Sequence, residues 1–117
     1  MESRHRLRGP HDFKRVRRTG RSYAHPLVVL VASPNGLAFT RLGVAAGKTV
    51  GDAVDRNRAK RRMRAALRAA LPAISPGWDL IWIARPALVL AEWKRVQQAV
   101  QLLLHRSGLL EGDEGER

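Results

Sequence analysis

Residues 49–72 read TVGDAVDRNRAKRRMRAALRAALP. At about 100° per residue, Ala59, Met63, Ala66, Leu67, Ala70 and Leu71 share one side of a helix. Asn57, Arg61, Arg64 and Arg68 line up on nearly the opposite side. Arg58 and Arg62 form a neighbouring row, and Arg56 and Lys60 flank the apolar stripe, where their stems can lie along it. The packing side is mostly alanine, which favours close approach to a sheet. Thr49 is the expected cap and Pro72 the expected stop. Asp52 and Asp55 suit the positive end of the helix dipole.

The flanking segments supply the sheet. HPLVVLVAS (25–33) is rich in β-branched residues and closes on the turn signal PNG. LAFTRLGVAAGK (37–48) follows as a second strand, so a hairpin is expected between the two. Residues 21–24 add a short first strand. WDLIWIA (78–84) has few polar residues, which predicts a strand covered on both faces. A short helix is expected over DFKRVRRTG (12–20), capped by Asp12 and stopped by Gly20. Phe13 and Val16 form its apolar face, with Lys14, Arg15, Arg17 and Arg18 on the other. LAEWKRVQQAVQLLLHRS (90–107) is a helix with Val96, Val100, Leu103 and Leu104 on one stripe and Trp93 beside them. Trp78, Trp82 and Trp93 are read as core or near-core. The order is α-β-β-β-α-β-α. The fold class is α+β, a two-layer α/β sandwich on a four-stranded mixed sheet. Residues 1–108 form one domain, and 109–117 are expected to be an acidic, disordered tail.

Charge narrows the partner. The formal net charge is +12. Leaving out 109–117, 21 basic residues face 6 acidic ones, so the body carries +15. Arginines outnumber lysines 18 to 4, and a guanidinium fork meets two phosphate oxygens or stacks on a base. No acid is interleaved after Asp55 on the helix, so salt-bridge lacing does not explain the cations. A membrane-surface helix would bury bulky apolar residues rather than alanine. A helix-turn-helix needs a helix where a strand precedes this one. The sequence has no cysteine, no apolar run near the roughly 20 residues that span a bilayer, and no secretory h-region. A cytoplasmic, basic α+β RNA binder is expected, with DNA left open as the nucleic acid.

Four segments, in order, carry a resemblance. AVDRNRAKRRMRAALR resembles the signature helix of the protein subunit of bacterial ribonuclease P. The family pattern, near A-V-x-R-N-R-x-K-R-x-x-R, is met by Ala53, Val54, Arg56, Asn57, Arg58, Lys60, Arg61 and Arg64. RLRGPHDFKRVRRTGRS resembles the family's opening, RLGVAAGKTVGDAV its strand and loop before the signature, and DLIWIARPA its last strand. The match spans about residues 4–106.

That resemblance implies a left-handed βαβ crossover through the basic helix, in a fold like domain 2 of ribosomal protein S5. It implies an accessory subunit of a ribonucleoprotein endoribonuclease, which assists a catalytic RNA in removing the 5′ leader from precursor tRNA. Mg²⁺ would be bound mainly by that RNA, and no metal and no catalytic residue are expected in this chain. The expected partners are the RNA subunit and precursor tRNA, with no membrane and no stable protein partner. Lys48, Arg56, Asn57, Arg58, Lys60, Arg61 and Arg64 would contact the RNA subunit, with Arg62 and Arg68 extending the stripe. Phe13 would line the leader cleft. Arg17 and Val31 stand where the family often has aromatics, so the cleft would lean more on charge or on Arg17 stacking.

Other readings make different demands. A protein-only metal nuclease needs a carboxylate cluster or His pair. Glu2, Asp12, Asp52, Asp55, Asp79 and Glu92 are scattered, and His5, His11, His25 and His105 lack metal-ligand spacing. Gly43, Gly47 and Gly51 make no P-loop, and GKT (47–49) is only a fragment of one. A general RNA chaperone or ribosome-associated basic protein is the alternative to an enzyme subunit.

Overall fold

The computed structural model describes residues 5–7 and 9–110. Its elements are α1 (Gly9–Thr19), β1 (Arg21–Ala24), β2 (Val28–Pro34), β3 (Arg41–Ala45), α2 (Ala53–Ala70), β4 (Trp78–Ala84) and α3 (Trp93–Ser107). The expected α+β order is present. The strands form one sheet in the order β1-β2-β4-β3. β1 and β2 pair antiparallel, as do β2 and β4, whereas β3 lies parallel to β4. The β3–β4 connection runs through α2. No described helix is long and apolar enough to cross a membrane.

The expected hairpin between 25–33 and 37–48 does not form. β4 inserts between β2 and β3, and the hairpin is β1–β2 instead. Side-chain character explains the exchange. β4 is apolar on both faces and takes a central place, paired on both edges. β3 is shorter and carries Arg41 and Gly43, and it takes the edge.

Alternation along the strands sorts the core into two layers. Val28, Leu30, Ala32, Leu42, Leu80, Trp82 and Ala84 meet α2 and α3. From α2 come Ala59, Met63, Ala66, Leu67 and Ala70, and from α3 come Val96, Ala99, Val100, Leu103 and Leu104. The opposite face is covered only in part by α1. There Val16 packs with Leu7, Val31 and Ile81, and Phe13, Val29 and Ile83 are half-buried beside them.

Local signals shift the element ends. α1 begins three residues before Asp12, which sits in its first turn. Lys48–Val50 is a 3₁₀ turn, and Asp52, not Thr49, caps α2 by accepting from the Asp55 N–H at 2.9 Å. α3 starts at Trp93, so that ring stands at the helix end and is 41% exposed rather than in the core. Trp82 is fully buried and Trp78 is half-buried against the core.

At the other end of α3, Gly108 adopts φ 74°. Its N–H donates to His105 O, and the Leu109 N–H donates to Leu104 O. This pair of bonds makes a Schellman stop with its usual apolar contact, and Leu109 is buried. Leu110 then bridges to Ile74. Leu109 and Leu110 therefore belong to the fold and not to the tail. The acidic stretch 111–117 lies outside the described residues.

Candidate nucleic-acid interface

On α2 the polar side chains divide nearly as the helical spacing requires, with Arg64 the departure. Asn57, Arg58, Arg61 and Arg68 are exposed, as is Lys48 just before the helix. Arg56 and Lys60 are half-buried along the flanks, and Arg64, spaced onto the outer row, is half-buried as well. None of these eight side chains makes a hydrogen bond or ion pair within the described residues. The buried back of the helix is alanine, Met63 and Leu67, so the stripe is held rigidly against the sheet. From Asn57 to Arg68 it runs about 16 Å. Unpaired guanidinium groups on a fixed helix can bind a row of phosphates without first breaking internal ion pairs.

Arg62 is the exception. Its Nη1 donates to Leu88 O at 3.0 Å and Val89 O at 2.8 Å, and its Nη2 donates to Ala91 O. The guanidinium lies 6.0 Å from the Trp93 ring centroid. Burial, with the nearby Arg58 charge, lowers its pKa from the usual guanidinium value. The expectation that Arg62 joins the RNA-facing stripe is therefore corrected. This arginine satisfies carbonyls of the turn between β4 and α3 and ties that turn to α2. Arg62→Ala is expected to cost about 1.5 kcal/mol of stability, because it leaves carbonyls without a donor. Chemical denaturation of the variant measures this, and an unchanged midpoint would show that the bonds carry no stability.

The second surface is the sheet face under α1. Strand register arranges it in three rows. Ser33, Asp79 and Arg41 form the first, and Val31, Ile81 and Gly43 the second. Ala24, Val29, Ile83 and Ala45 form the third. α1 covers the first two. Phe13 lies over Gly43, where an added Cβ would stand 2.7 Å from Phe13 Cζ, so this ring requires glycine beneath it. The third row is open, with Val29, Ile83 and Ala45 half-buried and Ala24 exposed. It is an aliphatic floor beside a basic helix. Arg17 is exposed and leaves α1 roughly 200° around from Arg15, on the side of that floor.

Val31 does not reach the floor. It is 4% exposed beneath Val16, so the expectation that it meets the leader is corrected. α1 crosses the sheet directly above it. Val29 and Ile83 are the aliphatic residues left open.

The two surfaces meet at the β3 edge. Arg64 from α2 and Phe13 from α1 line one recess together with Arg6, Leu7, Leu42, Gly43 and Val44. The arginine stripe and the Phe13 cleft are thus continuous around one side of the molecule. Sequence spacing missed Arg6, which reaches the recess through a bridge pairing with Leu42.

A polar cluster also escaped the sequence reading. Asp79 is fully buried. Arg41 grips it with two bonds, Nε to Oδ1 at 2.8 Å and Nη2 to Oδ2 at 2.7 Å. Arg15 Nη2 donates to Oδ2 at 2.7 Å, and Asn35 Nδ2 donates to Oδ1 at 3.0 Å. The available signal was an acid inside an apolar strand, which must find cations. Arg15 is therefore turned to the sheet and is not simply part of a solvent face. Burial alone would push the Asp79 carboxyl up, but bonds from Arg41, Arg15 and Asn35 outweigh it and hold its pKa below the usual carboxylate value.

A depressed carboxyl stabilises the fold above its unfolded pKa, near 4, and loses that contribution as pH falls through the folded value. The difference in Tm between the protein and Asp79→Asn should accordingly be unchanged from pH 7 to about pH 5 and should shrink below about pH 4. A difference that vanished by pH 6 would contradict the assignment.

No group of three or more His, Asp or Glu among the described residues could hold a metal ion. Asp79, the buried carboxylate, already accepts from Arg41, Arg15 and Asn35.

A family model described as Ribonuclease P matches residues 1–108. A ribonuclease P protein component from Herpetosiphon aurantiacus is 45% identical over 109 residues, covering 93% of this chain and 89% of the relative. One from Roseiflexus castenholzii is 43% identical over 113 residues, covering 96% and 93%. Among solved structures, the RNase P protein of Staphylococcus aureus superposes with a TM-score of 0.81 at 27% identity, covering 92% of this chain and 98% of that one. The RNase P protein from Thermotoga maritima gives 0.75 at 29% identity, covering 84% and 94%. With its fold, its signature helix and these relatives in agreement, the chain belongs to the ribonuclease P protein family.

Proposed function

We propose that this chain is the RNA-binding subunit of a ribonuclease P and assists a catalytic RNA in removing the 5′ leader from precursor tRNA. The observation that carries the reading is the unpaired row on α2. Asn57, Arg61, Arg64 and Arg68 stand on a helix whose other side is locked to the sheet. A rigid row of cations without acidic partners favours a polyanion of fixed shape. Lys48, Arg56, Arg58 and Lys60 complete the surface offered to the RNA subunit. Phe13 and Arg17, beside the aliphatic floor, are offered to the leader.

Mg²⁺ and the hydrolytic chemistry belong to the RNA in this reading. The protein's own work is to screen phosphate repulsion where RNA subunit and leader approach, and to hold the leader in a fixed path. The compartment is the cytoplasm, where precursor tRNA is made.

Reconstitution tests the proposal. With a bacterial ribonuclease P RNA and precursor tRNA, the chain should raise cleavage at low Mg²⁺ and lower the Mg²⁺ requirement. If it does neither, the proposal is wrong. Equal affinity for unrelated structured RNAs at matched salt would support a general RNA chaperone instead. Cleavage by the chain without any RNA subunit would point to a protein nuclease.

A further inference from the structure

We propose that Asp79 is a positioning residue that sets the leader cleft by clamping α1 to one side of the sheet. This inference rests on the function proposed above and names a residue outside the surfaces described for RNA.

α1 is held by apolar contacts from Val16 and Phe13, which can slide. Among the described residues its directional ties to the sheet all lie on one side. Arg15 bonds to Asp79 at 2.7 Å, and Thr19 Oγ1, four residues on, shares a hydrogen bond with Ser33 Oγ at 3.1 Å. Ser33 and Asp79 are register partners in the first row. Both ties therefore draw α1 toward the first row and away from the third. The open floor of Ala24, Val29, Ile83 and Ala45 exists because the helix is held to the other side.

The clamp is itself fixed. Arg41 Nε and Asn35 Nδ2 fill Oδ1, and Oδ2 is shared between Arg41 Nη2 and Arg15 Nη2, so the carboxylate that α1 meets is held in place from β3 and the loop after β2. The carboxylate is buried and out of reach of RNA, whereas the Arg15 side chain is 36% exposed. Asp79 can act on substrate only through its partners, and of these Arg15 alone stands on the helix that carries Phe13 and Arg17.

Two variants separate this from direct contact, because the clamp predicts the same sign for both and direct contact predicts opposite signs. Arg15→Gln removes the α1 tie and leaves Asp79 paired with Arg41. Asp79→Asn weakens the tie but frees the Arg15 charge for RNA. In the reconstituted holoenzyme, the clamp predicts that both variants lower the preference for precursor over mature tRNA at least fivefold. Affinity for the RNA subunit should stay within twofold. If Arg15→Gln lowers the preference but Asp79→Asn keeps or raises it, Arg15 touches the leader itself and the clamp is overturned. Unchanged preference in both, or equal loss for RNA subunit and precursor, overturns it as well. Should Asp79→Asn fail to fold, Ser33→Ala replaces it. Ser33 is buried, so a lowered preference supports the clamp and an unchanged one overturns it. A holoenzyme that is inactive with the unaltered chain would instead overturn the proposed function.

Discussion

Replacing Arg61 and Arg64 together with alanine should weaken assembly with a bacterial ribonuclease P RNA about thirtyfold at about 0.15 M salt. The size follows from counterion release. Each phosphate neutralised contributes a slope of about −0.9 to the logarithm of affinity against the logarithm of salt. At about 0.15 M that amounts to roughly fivefold per contact, and two contacts multiply. Neither arginine has a hydrogen-bond or ion-pair partner among the described residues to compensate for its loss. The double variant should therefore also flatten the salt slope by about 2. Fluorescence or filter binding across a salt series reads both quantities. An affinity loss with an unchanged slope would mean that these residues act through shape or folding and not through phosphate.

The same measurement on Arg62→Ala makes the contrast. Its donors are held by Leu88, Val89 and Ala91 carbonyls. Its salt slope should match that of the unaltered chain even where stability falls. Two arginines one position apart on one helix would then separate cleanly, one binding through charge and the other propping a turn.

Much of the interface could be read from the chain because helical spacing is local. Knowing that residues three, four and seven apart share a face is enough to set Arg61, Arg64 and Arg68 opposite Met63 and Leu67. What spacing cannot supply is the neighbour on the far side of a side chain. Arg62 looks like Arg58 on a helical projection, and only the turn after β4 makes it an inward anchor. Val31 looks like a cleft residue until α1 is laid across it. The β2–β3 hairpin does not form for the same reason: adjacency in sequence is not adjacency in the sheet, and the more apolar β4, which begins 44 residues after Pro34, lies between them. Asp79 was visible as an acid in an apolar strand. Its three partners come from α1, β3 and the loop after β2, a convergence that no spacing rule encodes.

Phe13→Ala should reduce affinity for precursor tRNA about thirtyfold while leaving mature tRNA and the RNA subunit nearly unchanged. A base stacked on an aromatic ring contributes about 1–3 kcal/mol, and the middle of that range gives this factor. Phe13 is the one aromatic on the cleft side of α1, because Arg17 takes the place one turn on where a further ring could have stood. The floor beyond it is aliphatic and offers no second stacking platform. Loss of the ring should thus be felt more fully here than in a cleft with several aromatics. Phe13→Leu keeps much of the apolar volume over Gly43 but no stacking face, so it should restore folding stability without restoring selectivity. Gly43→Ala approaches the same point from below, since its methyl group would displace the ring while leaving every charge in place. It should reproduce the selectivity loss with an unchanged salt slope. If Phe13→Ala weakened precursor and mature tRNA equally, the ring would lie off the leader path. The cleft would then act through Arg17 and the charge of α1 alone, and its preference for precursor should collapse at high salt.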